Sequence, residues 1–300
     1  MHRALVSGVT GHLGSELARQ LHIAGVEVHG LTRAGAAIPP ESDDSIELHS
    51  VDGSTQNLIA VLCAVRPDIV FHLAGLARRA HRSEDVSPFI AANISFGTQL
   101  LEGMRACRCK RFVTAGSYLQ HFKGDVPHPL NLYAATKQAF ETLIEYYADA
   151  FDMSAVRLTL CDIYSERDTR PKLMTDIAAA WAGDSSLTLR SAEAYVDLIH
   201  VQDAACAFMH IANLLETHAI PERALTRYSV SSGHDTTATE LIQIFERIGH
   251  RRLTVHRAAS APAVRDMKPW RGDGVPGWAP RISIDEGIGR IIANLYATAP

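Results

Sequence analysis

The sequence predicts an α/β fold built on a doubly wound parallel sheet, and three observations carry that prediction. Short apolar runs bounded by turn residues alternate with longer helical stretches through the first 165 residues. One run leads directly into a glycine-rich turn that opens a helix. Another, Ile69 to Gly75, is apolar without alternation, as in a strand buried on both faces.

Three hundred residues, 47% of them hydrophobic, suffice for one large unit or two lobes. A net charge of −4 with no long charged block gives no reason to expect nucleic acid as a partner. No apolar run is long enough for a membrane span or a signal peptide, so a cytoplasmic protein with no membrane partner is expected. Cys63, Cys107, Cys109, Cys161 and Cys206 are an odd set that fits free thiols in a reducing setting. The fifteen histidines are scattered, and no compact His/Cys/carboxylate set has metal-ligand spacing, so no metal site is expected.

Ala4 to Ser7 reads as a strand, Gly8-Val9-Thr10-Gly11-His12-Leu13-Gly14 as a turn, and Ser15 to Ala24 as a helix. Gly8 allows the tight turn, Gly11 lets a pyrophosphate approach the backbone, and Gly14 lets the helix pack close to the strand. His12 and Leu13 lie within the same cradle, and the helix N-terminus favours phosphate charge. Farther along, Tyr133-Ala134-Ala135-Thr136-Lys137 sets a phenol and an ammonium four apart, on one helix face. The ammonium is expected to lower the phenol pKa, which suits acid/base work on an alcohol or ketone. The Gly-x-x-Gly-x-x-Gly spacing resembles that of the short-chain dehydrogenase/reductase superfamily.

A second strand, Val26 to Leu31, ends in Thr32-Arg33. NAD-binding members of the superfamily usually carry an acidic residue there, whereas an arginine can pair with a 2′-phosphate. NADPH is therefore the expected cofactor, with NAD as the alternative; an arginine capping a solvent edge is the structural reading. Residues 34–45 are a loop rich in Gly, Pro, Ser and Asp, and Ile46 to Val51 is a third strand. The resemblance gives Asp52 a hydrogen bond to the adenine; an exposed turn aspartate is the alternative. Thr55 to Val65 is a helix that stops before Pro67. By resemblance, Leu73, Ala74 and Gly75 pass beside the cofactor. Pro88 to Arg105 reads as a helix with Asn93 placed like the structural asparagine of the family. Arg111 to Ala115 is the next strand, and Ser117, sixteen residues before Tyr133, leaves its carboxyl end, where ligands of open α/β sheets gather.

Taken in order, these motifs resemble an extended short-chain dehydrogenase/reductase of the nucleotide-sugar epimerase/dehydratase kind along nearly the whole chain. The resemblance implies a Rossmann domain over residues 1–165, to which later chain returns, and a mainly substrate-binding lobe over residues 166–300. It also implies a homodimer, with helices near Asn93 and Tyr133 pairing across it. Gly116 to His121, Asn131 to Phe140 and Asp168 to Lys172 are similar to the 4-ketoreductases of deoxysugar pathways, such as CDP-abequose and CDP-paratose synthases. Many 4,6-dehydratases of the family carry Asp-Glu directly after the catalytic Ser or Thr; Tyr118-Leu119 stands there instead, which argues against dehydration.

The implied reaction is reduction of the 4-keto group of a nucleotide-linked 4-keto-6-deoxy sugar. Tyr133 gives the proton, Ser117 hydrogen-bonds the same oxygen, and Lys137 holds the nicotinamide ribose. An NAD-dependent nucleotide-sugar epimerase is the rival enzyme, and a cofactor-binding regulator without catalysis is the rival class. The intact Ser117, Tyr133 and Lys137 set argues against the regulator.

After the strand Ala155 to Leu160, Asp162 replaces an asparagine common in relatives. It joins Tyr118, Ser117, Arg170 and Lys172 as a candidate substrate contact. Arg170 and Lys172 flank a proline and suit a diphosphate, or else a solvated charged loop. Leu173 to Trp181 reads as a helix and Leu187 to Leu189 as a strand; Asp197 is expected to brace the lobe, with a substrate contact as the alternative, and Asp203 to cap a helix over Ala204 to Leu215. Tyr228 to Val230 and Leu253 to Val255 read as strands around the helix Thr239 to Ile248, which begins at a Thr237-x-x-Glu240 capping box. Residues 262–280 are expected to form an ordered loop over the pocket, with Arg265, Lys268 and Arg271 as possible phosphate contacts.

Overall fold

The computed structural model describes residues 1–35, 45–183, 186–189, 195–257 and 267–297. The chain opens with β1 (Arg3–Ser7), α1 (His12–Ile23), β2 (Glu27–Arg33), β3 (Glu47–Val51), α2 (Thr55–Val65) and β4 (Ile69–His72). It continues through α3 (Val86–Ile90), α4 (Phe96–Cys107), β5 (Arg111–Ser117), α5 (Leu132–Ala150), β6 (Ser154–Leu160), β7 (Asp162–Tyr164) and α6 (Leu173–Ala182). There follow β8 (Leu187–Leu189), β9 (Tyr195–Val196), β10 (Leu198–His200), α7 (Val201–Glu216), β11 (Leu225–Val230), β12 (Thr236–Thr237), α8 (Ala238–Gly249), β13 (Val255–Arg257) and α9 (Ile284–Ala297).

Seven parallel strands in the order β3-β2-β1-β4-β5-β6-β11 form the central sheet, a Rossmann-like α/β arrangement. The strand order reverses between β1 and β4, so the crevice at their carboxyl ends is where such a sheet receives a ligand. All four residues of β4 are buried, as its unbroken apolar run requires. On one face, Leu17 and Leu21 of α1 pack with Phe208, Ile211 and Leu215 of α7 over Val6, Phe71 and Val156. On the other, α2, α4 and α5 bring Leu62, Leu101 and Phe140 onto Leu5, Val70 and Phe112. A third cluster joins Tyr164, Trp181, Leu241, Phe245 and Ile288. Among the described residues no helix is long and apolar enough to cross a membrane.

Four local expectations change. The helix expected over residues 88–105 is interrupted by a π turn at Ala91–Ser95 that contains Asn93; an extra residue per turn is a device that re-aims side chains. The N-cap of α7 is His200, whose ring accepts from the Gln202 amide, and not Asp203. Asp203 lies inside the helix and instead accepts from the amides of Arg281 and Ile282, fixing the approach to α9. The last short strand is Val255–Arg257, two residues later than its apolar run suggests, because it pairs in register with Leu187–Leu189. Helix α9 was not expected, although Ser283-Ile284-Asp285-Glu286 has capping-box spacing and the Glu286 amide does donate to the Ser283 hydroxyl.

Candidate active site

The glycine turn after β1 is shaped by contacts that admit no side chain. Gly8 has a φ of +76°, and a Cβ there would lie 2.6 Å from the Ala74 amide nitrogen. A Cβ on Gly14 would lie 2.0 Å from the Gly8 carbonyl oxygen, so the first turn of α1 can sit against the loop only with glycine there. Gly11 is the N-cap of α1 and supplies no side-chain cap; no acidic residue occupies the first turn. The helix amides therefore face outward unspent, as anion binding requires. Leu73, Ala74 and Gly75 leave β4 beside this turn, the first two close enough to Gly8 to fix its separation.

Thr32 and Arg33 end β2 next to β3, with Arg33 exposed. Asp52, just beyond β3, is exposed and spends one carboxylate oxygen on the Ser54 amide at 2.8 Å. That backbone hydrogen bond is the largest of the causes that hold its pKa below the usual range.

Asn131 starts α5 by accepting from the Ala134 amide at 2.9 Å, which places Tyr133 in the first turn and Lys137 one turn later. Ser117 ends β5. Its hydroxyl lies beside the Tyr133 phenol, where a hydrogen bond favours the phenolate, but burial is the larger effect and pushes the phenol up to about 12. Lys137 is buried and donates to the Ala115 carbonyl at 3.1 Å. Burial brings its pKa down to about 8. The expectation that Lys137 lowers the phenol pKa is thus corrected: burial raises the phenol, and Ser117 and Arg170 are the groups that oppose it.

A pH dependence follows from Lys137. Its pKa falls from 10.5 to about 8 on folding, so between those values the unfolded chain binds more protons and stability rises with pH. Dinucleotide affinity should move the opposite way, because the ammonium is lost as pH passes about 8. The expected result is a kcat/KM for the cofactor that declines above pH about 8, read from initial rates across neutral to alkaline pH. An exposed lysine would hold the plateau some two units further, near pH ~10.4.

Asn93, expected among the cofactor-binding residues, is held as a brace between two segments of the site. Buried at 1% exposure, it accepts from the Leu76 amide and donates to the Leu76 carbonyl and the Thr136 hydroxyl, using every hydrogen of its amide. It therefore ties the loop after β4 to the first turns of α5.

His12 reaches from α1 toward a cluster formed by Asp168, Arg170 and Lys172. Burial, then the Arg170 charge, bring its pKa down to about 4, so at neutral pH it faces Asp168 across 3.8 Å uncharged and not as an ion pair. Arg170 grips Asp168 in bidentate fashion at 2.7 and 2.6 Å. Lys172 donates to Asp162 at 3.2 Å, and the Tyr118 hydroxyl donates to the same carboxylate at 3.1 Å. Asp162, Tyr118, Arg170 and Lys172 thus come together, with both cations already matched by carboxylates. Arg271 is likewise taken: it pairs with buried Asp197 and with Asp235, so Asp197 braces the fold and Arg271 is corrected from phosphate contact to structural partner. Lys268 lies over the Tyr195 ring, and Arg265 falls outside the described residues. Trp270 stacks on His121 at 3.6 Å and donates to Asp125, holding residues 267–272 over the segment after Ser117.

Sequence reasoning missed the support beneath Ser117. Its amide donates to Gln120 Oε1 at 2.9 Å, and Gln120 in turn donates to Gln138 and Glu141. Glu141 accepts from Arg157 at 2.9 Å, with both side chains only 3% exposed, and pairs also with Arg227. The signal was available. Ser117-x-x-Gln120 is a capping-box spacing, and Glu141 lies four residues after Lys137 on the same helix face.

Comparison with known proteins matches residues 4–224 to the profile of the NAD dependent epimerase/dehydratase family. A UDP-glucose 4-epimerase of Mycolicibacterium smegmatis is 25% identical over 323 aligned residues, covering 97% of each chain. A CDP-abequose synthase of Yersinia pseudotuberculosis is 24% identical over 219 residues, 70% of this chain and 73% of that one. In structure, the chain resembles the Thermus thermophilus UDP-glucose 4-epimerase in complex with NAD (TM-score 0.83, 23% identity, 99% and 100% of the two chains). It is also similar to a Bacillus cereus UDP-glucuronic acid 4-epimerase with NAD (TM-score 0.85, 18% identity, 99% and 100% of the two chains). At these identities the structural likenesses speak to the fold.

Proposed function

Since the chain belongs to the NAD dependent epimerase/dehydratase family, we propose that it is an NADPH-dependent reductase acting on the 4-keto group of a nucleotide-linked 4-keto-6-deoxy sugar. The observation that carries the reading is Arg33, exposed at the carboxyl end of β2, where a guanidinium suits a 2′-phosphate. A net reductase draws hydride from a cofactor that must be resupplied, which agrees with that preference. Tyr118-Leu119 after Ser117 supports it by leaving out a second acid/base pair: burial is the main effect raising the Tyr118 phenol, and its hydroxyl is committed to Asp162.

Gly8, Gly11, Gly14, His12 and Leu13 would cradle the dinucleotide diphosphate, Thr32 and Arg33 its phosphorylated ribose, and Asp52 the adenine. Leu73, Ala74 and Gly75 would flank it, and Lys137 would hold the nicotinamide ribose. When bound, the cofactor supplies the hydride. Tyr133 gives its proton to the substrate oxygen as negative charge develops there, and Ser117 donates a hydrogen bond to the same atom. A phenol that keeps its proton at neutral pH is the donor that reduction starts from. The lobe built on the third apolar cluster, with Asp162, Arg170 and Lys172 at its border, would receive the nucleotide sugar.

The test is incubation with NADPH or NADH and a panel of nucleotide-linked 4-keto-6-deoxy sugars, with products read by mass spectrometry. Arg33→Asp should cut kcat/KM for NADPH by roughly tenfold to a hundredfold, the loss of one or two charge-assisted hydrogen bonds, and leave NADH use intact. An unchanged NADPH preference in that variant would remove Arg33 from cofactor choice. A second reading, an NAD-dependent epimerase, is favoured by the full-length likeness to UDP-glucose 4-epimerase. An epimerase would keep NAD through purification and interconvert sugars without consuming added cofactor.

A further inference from the structure

We propose that His29, Glu47 and His49 form a divalent transition-metal site of the zinc type on the outer strands of the sheet, with Glu27 as the group that orients His29. The parallel register pairs His29 of β2 with Glu47 of β3, and His49 follows two residues along. Side chains two apart on a strand share a face, so residues twenty positions apart in sequence converge there. Sequence spacing concealed the set for that reason.

The distances suit a metal. His29 Nδ1 lies 2.9 Å from His49 Nε2 and 3.5 Å from Glu47 Oε2, and His49 Nε2 lies 3.6 Å from Glu47 Oε1. Ligands about 2.0–2.2 Å from a tetrahedral zinc stand about 3.3–3.6 Å from one another, and each imidazole nitrogen already stands at that spacing from one of the two Glu47 oxygens. The distance between the two nitrogens opens by about half an ångström through a small tilt of the rings, and a turn of the exposed Glu47 carboxylate presents one oxygen to both.

Protonation points the same way. Glu27 holds His29 Nε2 at 2.9 Å, so that nitrogen carries the hydrogen and Nδ1 offers its lone pair. The carboxylate–histidine–metal relay has this arrangement. Glu27 is anchored in turn by Arg3 at 3.0 Å. The hydrogen between Nδ1 and His49 Nε2 then belongs to His49, and a cation would replace it. His29 is buried at 4% exposure and His49 half-buried, which fixes the imidazoles, while exposed Glu47 leaves a way in from solvent and room for a water as fourth ligand. Two imidazoles and a carboxylate favour zinc, nickel or copper over magnesium or calcium. His29, Glu47 and His49 share the α2 face of the sheet with Leu31 and Val51, toward the amino ends of the strands. A metal there would clamp the edge strand β3 to β2, away from Ser117 and Tyr133.

The test uses untagged, chelator-stripped protein titrated with zinc chloride by calorimetry, alongside thermal melts with and without zinc. The expected result is one equivalent bound and a raised melting temperature. His49→Gln and Glu47→Gln should each weaken binding at least tenfold, and Glu27→Gln by about tenfold to a hundredfold as an orienting residue. Glu47 is exposed, so its variant should fold by circular dichroism and decide the matter should His49→Gln not. No stoichiometric binding, or binding equally tight in the Glu47 and His49 variants, would overturn the site and assign the zinc to other histidines.

Discussion

Tyr133→Phe is expected to reduce turnover by about a hundredfold to ten-thousandfold while leaving dinucleotide affinity within a few-fold of the parent, because the variant removes a proton donor and no packing. The ring sits in the first turn of α5, fixed by the Asn131 cap behind it and by Thr136, whose hydroxyl donates to the Tyr133 carbonyl at 2.8 Å. Phenylalanine fills the same space. The Ser117 hydroxyl survives in the variant and still reaches the substrate oxygen, so residual activity is expected above the uncatalysed rate. Single-turnover kinetics with saturating cofactor, beside a fluorescence titration of the cofactor, would check both halves. Near-normal reduction would place the proton donor elsewhere.

The second large effect is on stability. Glu141 receives Arg157 and Arg227 and the Gln120 amide, and both Glu141 and Arg157 are almost wholly buried. Glu141→Gln keeps the volume and leaves the Arg157 guanidinium buried without its counter-charge. Losing one partner of a buried ion pair costs about 3–5 kcal/mol, far more than an exposed pair is worth. Arg227 is 42% exposed and regains solvent, which puts the expected loss at the lower end, about 3 kcal/mol in urea or thermal unfolding. Activity should fall as well, because Gln120, which holds the Ser117 amide, shares its Glu141 acceptor oxygen with Arg157, and the variant's amide has a single, uncharged oxygen for these donors. Parent-like stability would mean that Arg157 finds another partner or water.

How much of this was legible in the sequence depends on where each contact lies along the chain. The glycine turn, Ser117 and the Tyr133 to Lys137 face are local patterns, and the structure brings the phenol, the hydroxyl and the ammonium to the carboxyl ends of β5 and the start of α5 as those patterns imply. The helix boundaries at Thr55–Val65 and the Thr237 capping box were readable because their signals lie within four residues. What was not readable depends on distant partners. Asp203 looks like an N-cap by position, yet the amides of Arg281 and Ile282 claim it. Arg271 looks free in a glycine- and proline-rich stretch, yet Asp197, seventy-four residues earlier, binds it. Lys137 was expected to act on its helix neighbour, and burial turned its ammonium to the Ala115 carbonyl instead.

The packing of α7 on α1 has a consequence for synthesis on the ribosome. Leu17 and Leu21 emerge early, but the residues that cover them, Phe208, Ile211 and Leu215, are translated almost two hundred positions later, and the strand that closes the sheet beyond β6 ends only at Val230. Until then the nascent chain carries a bare apolar helix and an open strand edge, a template for unwanted pairing. The helix that opens at the phosphate cradle, although encoded by the first residues made, is fully covered only when more than two-thirds of the polypeptide has been synthesised.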